Sequence, residues 1–191
     1  MNESKKAAHA GHFHAVQFYE NDASLTSIVA GFLAEGFANG DPAVVIATPE
    51  HRQAIEIELR ARAIDVDGLK RIGELVVLDA DETLQTFMVN GSPHAGTFKH
   101  VTGQVIEQVC AGRTSCTVRA YGEMVNVLWK DGLASAAIRL ETLWNELANT
   151  HDFKLLCGYS MGNFYKGAAI EEIKSQHSHL VDETGQTATL N

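Results

Sequence analysis

Short apolar runs alternate with one-sidedly apolar helices along almost the whole chain, and this alternation leaves few folds open. Residues 13–19 (FHAVQFY), 43–48, 74–79, 115–121 and 153–159 read as strands. After the first, Leu25, Ile28, Val29, Phe32, Leu33 and Phe37 recur at helical spacing, the stripe of a helix with one face on a core. Gly40 is placed to end that helix in a left-handed cap. Thr48-Pro49-Glu50 reads as an N-cap, a proline at the first helical position and an acidic first turn, opening a helix to about Ala63. Further helices are expected through Leu84, Phe87 and Met88, after Pro93 through Phe98 to Val109, over 123–129, through Ala136, Leu140, Trp144 and Leu147, and over 168–177. About five strands separated by helices predict an α/β three-layer sandwich, its mainly parallel sheet covered on both faces. Ligands of such sheets bind beyond the carboxyl ends of the strands.

The turn after the first strand narrows the chemistry. In a P-loop protein this position holds G-x-x-x-x-G-K-[ST], whose backbone N–H groups and lysine cradle phosphates. Here it is Glu20-Asn21-Asp22-Ala23-Ser24, with no glycine, no lysine and two carboxylates. The chain contains no Gly-Lys pair and no G-x-G-x-x-G, so Walker A is lacking.

Charge and cysteine usage exclude other classes. A net charge of −9, with scattered basic residues, argues against nucleic acid or an anionic membrane as partner. Cys110, Cys116 and Cys157 stand singly without CxxC spacing, and are expected as reduced, buried thiols of a cytoplasmic protein. No apolar run approaches a membrane span and the amino terminus has no signal-peptide h-region. Residues 1–12 and 182–191 are polar and expected as flexible tails flanking one domain over 13–181.

Several blocks resemble a known family. His14-Ala-Val-Gln-Phe18-Tyr19 is similar to the H-x-x-x-F-Y signature of the MEDS (methanogen/methylotroph sensory) domain. Arg119-Ala-Tyr121-Gly-Glu123-Met, Leu140-Glu141 with Trp144-Asn145, Leu155-Leu-Cys157-Gly-Tyr159 and His177-Ser-His179 resemble later blocks in the same order. The resemblance implies a RecA/KaiC-like fold with a degenerate P-loop that senses small organic molecules, of C1 or hydrocarbon-derived type, without a cofactor. Family members occur alone or beside histidine kinases, other signalling modules or DNA-binding domains. With no room here for a kinase or a helix-turn-helix, output is expected through a separate signalling protein, self-association being left open.

The candidate ligand-binding residues are His14, Phe18, Tyr19, Glu20, Arg119, Tyr121, Glu123 and Tyr159. His14 and Tyr19 bracket the first strand; at about 3.3 Å per residue they lie roughly 16 Å apart, and their odd separation puts them on opposite faces. His14 therefore either ties down a strand end or meets ligand. Tyr19, whose ring can wall a pocket while its hydroxyl points in, is the better ligand candidate. Arg119 and Glu123 flank Tyr121 where the fourth strand should end. A buried arginine needs a partner, expected among Glu20, Asp22, Glu123 and Glu141, or it anchors a polar ligand. Trp129 and Trp144 read as core or interface. His9, His12 and His14 lack a fixed Cys or Asp partner, so no metal site is expected.

Two further readings stand beside the sensory one. A protein-protein adaptor for a kinase or anti-sigma-type partner would have a filled, vestigial crevice, whereas convergence of Tyr19, Arg119 and Tyr159 on an open cavity would favour sensing. Gly158-Tyr-Ser160-Met-Gly162 matches the nucleophile-elbow pattern of an esterase. Only His177 and His179 follow it, however, and its strand is expected to be the last rather than a central one. No enzymatic activity is expected. The turn at residues 20–24 generates a direct test: isothermal titration with millimolar Mg-ATP should show no binding, and a micromolar dissociation constant abolished by substituting Asn21 or Ser24 would overturn this reading.

Overall fold

A side-chain cap sets the transition from the first strand to the first helix. Strand β1 (His14–Tyr19) ends at the polar turn, where the Asn21 carboxamide oxygen accepts hydrogen bonds from the backbone N–H groups of Ala23 (2.8 Å) and Ser24 (3.3 Å). Helix α1 (Asp22–Ala38) thus begins three residues before the first residue of the apolar stripe, Leu25, and is capped by Asn21. The carboxamide takes up N–H groups that would otherwise face an incoming anion. Gly40, at φ 79°, follows the helix end as expected.

The computed structural model describes residues 12–164 and 169–190. After α1 come β2 (Ala43–Ala47), α2 (Pro49–Ala61), α3 (Val66–Ile72), β3 (Leu75–Asp79), α4 (Ala80–Phe87) and a small hairpin, β4 (Met88–Val89) with β5 (Ser92–Pro93). The chain continues through α5 (Ala95–Val109), β6 (Val118–Gly122), α6 (Met124–Lys130), α7 (Ala134–Leu147), β7 (Phe153–Ser160), α8 (Ile170–Lys174), β8 (His179–Val181) and β9 (Thr187–Thr189).

The main sheet has seven strands in the order β3-β2-β6-β7-β1-β8-β9. All neighbours pair in parallel except β8 and β9. Side chains alternate across it. Ala15, Tyr19, Val45 and Leu156 pack under Leu25, Val29 and Leu33 of α1 and Ile55 and Leu59 of α2. Val16, Ile46, Ala120 and Leu155 pack against Leu84, Phe98, Leu128, Leu140 and Trp144 of α4 to α7. These are the three layers expected of strands buried on both faces.

The differences from expectation have local causes. The expected five strands become seven because residues 179–181 form β8 beside β1, and residues 182–190 fold back as a turn and β9 instead of forming a tail. A polar Thr-Ala-Thr strand on a sheet edge carries no apolar signature. Helix α3 was not foreseen; Asp65 caps it through Gly68 N–H and Gly73 ends it. The last helix is a short α8, and its expected start at Ala168 lies outside the described residues, as do the expected tail 1–11 and His9. Cys110 and Cys116 are joined as a disulfide across the α5–β6 connection, which corrects the expectation of three reduced thiols; Cys157 is free and buried. No helix among the described residues is long and apolar enough to cross a membrane.

One close approach fixes the β6–β7 packing. A Cβ on Gly158 would lie 2.8 Å from the Tyr121 hydroxyl oxygen and 3.4 Å from Leu25 Cδ1. The Tyr121 ring therefore crosses β7 where there is no side chain. Gly158→Ala should overpack this layer and lower stability by about 1–3 kcal/mol, measured as an earlier urea midpoint at unchanged m-value.

Candidate functional site

The expected ligand residues divide among three places. Tyr19, Tyr121 and Glu123 meet at the carboxyl ends of β1, β2 and β6, on the α1–α2 side. Glu123 follows β6 directly and is fully buried. One of its carboxylate oxygens accepts from the Thr48 backbone N–H. The other lies 2.5 Å from His51 Nδ1 and accepts from the Tyr121 hydroxyl at 3.1 Å. Asp22 lies 3.5 Å from His51 Nε2. Asn126 donates toward the Tyr19 hydroxyl at 3.4 Å and accepts from Ser160 N–H at 3.0 Å. Glu20 is exposed. This end of the sheet is closed by its own side chains.

The electrostatics match that closure. Burial alone would raise the Glu123 carboxyl, but hydrogen bonding and charge from His51, with the Thr48 N–H, hold it below the usual range. The hydrogen bond to Glu123 raises His51, against an opposing effect of burial. Burial, and then the charge of Glu123, push the Tyr19 and Tyr121 phenols up.

His14, Phe18 and Tyr159 face the other side of the sheet, so His14 and Tyr19 do lie on opposite faces. His14 does more than tie down a strand end. Its Nε2 lies 3.2 Å from Glu141 Oε2 and 3.4 Å from Cys157 Sγ, while its Nδ1 is 2.8 Å from Asn145 Oδ1. His177 Nε2 lies 3.4 Å from Glu141 Oε1, and its Nδ1 is 2.8 Å from the Ile173 carbonyl. The Tyr159 hydroxyl donates to Glu141 Oε1 at 2.8 Å. Glu141 and both histidines are buried. Burial would raise the Glu141 carboxyl, but His177 and His14 outweigh it and hold it below the usual range. Burial, and then Glu141, push the Cys157 thiol up.

Arg119 stands apart from both groups. It is the second residue of β6, at the amino end of the strand, and Glu123 lies at the carboxyl end. Its partners are Glu35 (3.1 Å) and Asp41 (3.2 Å), which corrects the expected set of Glu20, Asp22, Glu123 and Glu141. α1 returns to the amino edge of the sheet, and only there can a side chain of β6 reach its last turn. Gly36 makes room: a Cβ there would lie 2.3 Å from Arg119 Cγ. The guanidinium covers the Phe32 ring at 5.0 Å.

Arg119 borders a cavity of about 410 Å³, within the roughly 300–1,000 Å³ of small-molecule sites. Phe13, Ile28, Phe32 and Leu156 give it apolar walls, Lys154 and Arg62 stand beside Arg119, and Val181, Gly185 and Thr187 close it from the β8–β9 hairpin. Tyr19, Arg119 and Tyr159 thus do not converge on one cavity. A smaller one, about 200 Å³, is lined by Trp129, Ile138 and Phe164; Trp144 is core. The sequence singled out Arg119 but not Phe13 or Phe32, whose apolar character reads equally as core.

Ser160 lies at the end of β7, which is the middle strand of the seven, contrary to the expectation that it would be peripheral. Among the described residues no histidine hydrogen-bonds its hydroxyl; His177 is engaged with Ile173, and His179 Nδ1 lies 2.7 Å from the Ser178 hydroxyl.

The architecture is that of an α/β domain with a ligand-sized cavity against the sheet and a side-chain-capped helix after its first strand. The family model of the methanogen/methylotroph, DcmR sensory domain (MEDS) matches residues 13–178, and the chain belongs to that family of sensory domains. A search of curated proteins found no match.

The His51–Glu123 pair generates a pH signature. His51, raised on folding, contributes stability that is complete below its unfolded value of 6.5 and fades as pH rises through the higher folded value. Glu123, depressed on folding, contributes stability above its unfolded value of 4.5 that is lost as pH falls through the lower folded value. Tyr19, Tyr121 and Asp22 are the other ionisable groups facing the pair. His51→Ala leaves the carboxylate buried without its partner, so it should cost about 3 kcal/mol between those two pH values. The deficit should shrink as pH rises well above neutrality, as read by urea denaturation across pH.

Proposed function

We propose that this chain is a non-enzymatic sensory domain that binds a small organic ligand in the cavity beside Arg119 and signals through a separate protein. The observation that carries this reading is the cavity itself: apolar walls from Phe13, Ile28, Phe32 and Leu156 with cationic side chains at the margin. Such a site takes a compact apolar body with one polar or anionic end. Lys154 has no ion-pair partner among the described residues and is available to that end, while Glu35 and Asp41 hold Arg119 in place.

The β8–β9 hairpin is the natural reporter. It walls the cavity and reaches α1, where the Ser24 hydroxyl donates to the Glu183 carbonyl at 3.3 Å. A ligand that fits one hairpin position better than another shifts their populations and changes the surface presented to a partner such as a histidine kinase or regulator. We further infer a RecA/KaiC-like ancestry with a degenerate P-loop. Its support is the strand–turn–helix at β1, placed as a phosphate loop would be but with Asn21 taking up the helix N–H groups. The adaptor reading draws on the closed crevice around Glu123; the cavity at the other end of the sheet favours sensing.

Thermal-shift screening against short halogenated, hydroxylated and carboxylated organics, with nucleotides alongside, tests the proposal. A ligand at a hundredfold excess over its Kd adds about 2.7 kcal/mol, or roughly 5–10 °C in Tm for a domain of this size. Phe32→Trp, which enlarges the cavity wall beside Arg119, should abolish the shift. Stabilisation by ATP alone, or a ligand shift that survives Phe32→Trp, would sink the proposal.

A further inference from the structure

We propose that His14, Glu141, Cys157 and His177 form a closed, four-ligand site for one divalent transition metal of the zinc class, buried between the sheet and α7. The donor atoms of these four residues all lie within 4.8 Å of one another. The measured separations are 3.2 Å (His14 Nε2 to Glu141), 3.4 Å (His14 Nε2 to Cys157 Sγ), 3.5 Å (Cys157 Sγ to Glu141) and 3.4 Å (His177 Nε2 to Glu141). A tetrahedron with metal bonds of about 2.0 Å to nitrogen or oxygen and about 2.3 Å to sulfur has edges of roughly 3.3–3.8 Å. The contacts among His14 Nε2, Glu141 Oε2 and Cys157 Sγ match three such edges, and His177 Nε2 lies within 4.8 Å of a donor atom of each.

The outer hydrogen bonds orient both imidazoles for ligation. Asn145 donates its amide N–H to the Gln176 carbonyl at 2.9 Å, which turns its oxygen toward His14 and makes His14 Nδ1 the protonated nitrogen. The Ile173 carbonyl does the same for His177 Nδ1. Both Nε2 lone pairs then point inward, the arrangement in which a second hydrogen-bond partner fixes the tautomer of a metal-bound histidine. The Tyr159 hydroxyl supports the carboxylate in the same way.

What these atoms face inside is an excess of lone pairs. Apart from the Tyr159 hydroxyl on Glu141 Oε1, two imidazole nitrogens and a carboxylate meet around one weak donor, the Cys157 thiol. His177 Nε2 is buried with no hydrogen-bond partner. Leaving such groups uncompensated is costly. A dication satisfies all of them: binding forms the sulfur–metal bond, releases the thiol proton to solvent, and sets two positive charges against one thiolate and one carboxylate. The buried centre is then neutral. Mixed nitrogen, sulfur and oxygen donors in this geometry suit Zn²⁺, with Co²⁺ as its spectroscopic substitute. With all four positions supplied by the protein, the site is structural. It staples His177, which precedes the cavity-closing hairpin, to β1, α7 and β7.

The experiment uses the full chain, purified without a histidine tag. Elemental analysis should find about one equivalent of zinc per chain. Cobalt titration of chelator-stripped protein should give a saturable thiolate-to-cobalt charge-transfer band, bleached by zinc. Cys157→Ser should remove that band, and Asn145→Ala, which leaves the ligands in place, should weaken zinc binding about 10- to 100-fold. The wild-type titration needs no variant to fold. A folded wild-type protein that neither carries nor takes up zinc or cobalt would show that a proton on one imidazole holds the cluster, and would overturn the proposal. So would a cobalt spectrum without a thiolate band, because the metal would then sit elsewhere. Neither result depends on the organic ligand.

Discussion

Burying β1 on both faces presses its polar side chains to find partners, and those of His14 and Tyr19 lay out much of the molecule, though the Gln17 carboxamide oxygen has none. His14 and Tyr19 are both buried, and an unpaired polar group at such a depth costs roughly 1–3 kcal/mol. His14 is answered by Glu141 and Asn145 of α7, and by Cys157 on the neighbouring β7. Tyr19 is answered by Asn126 of α6 and lies edge-on to His51 at 5.9 Å between centroids. These pairings add to the hydrophobic pattern in fixing the register of β1.

The two faces consequently carry different chemistry. On the α1–α2 face, Glu123 joins β6 to the start of α2 through Thr48 and His51 at the carboxyl end of the sheet. On the other face, Glu141 gathers residues from β1, β7 and the segment before β8. The cavity sits at neither place. It opens at the amino ends of β6 and β7, where α1, Arg119 and the hairpin leave a gap lined by aromatic rings. A ligand there touches the hairpin directly, and the hairpin leads back through Ser178 to β1, whose His14 N–H donates to the Ser178 hydroxyl at 2.9 Å. Cavity, hairpin and buried cluster are therefore linked by direct contacts.

The alternation, the parallel sheet covered on two faces, the opposite facing of His14 and Tyr19, and the lack of a Walker A motif were all legible in the sequence. Each is a property of neighbours in the chain: periodicity, caps and the missing glycines and lysine of one turn. It also marked most of the residues that bear chemistry, because a histidine or arginine on an apolar strand is conspicuous. What it left undecided was which of them meet. Arg119 and Glu123 are four residues apart yet face opposite ends of the sheet, and Arg119 instead finds Glu35 and Asp41 because α1 returns to that edge. His14 meets His177 across more than 160 residues because β1 lies between β7 and β8, an order set by crossovers that no local pattern records. The disulfide and the polar edge strand β9 were likewise tertiary outcomes, since neither a thiol pair nor a short polar strand carries its partner in its own spacing. Side-chain identity is local, but the geometry that turns side chains into a cavity or a metal shell belongs to the packing of distant segments.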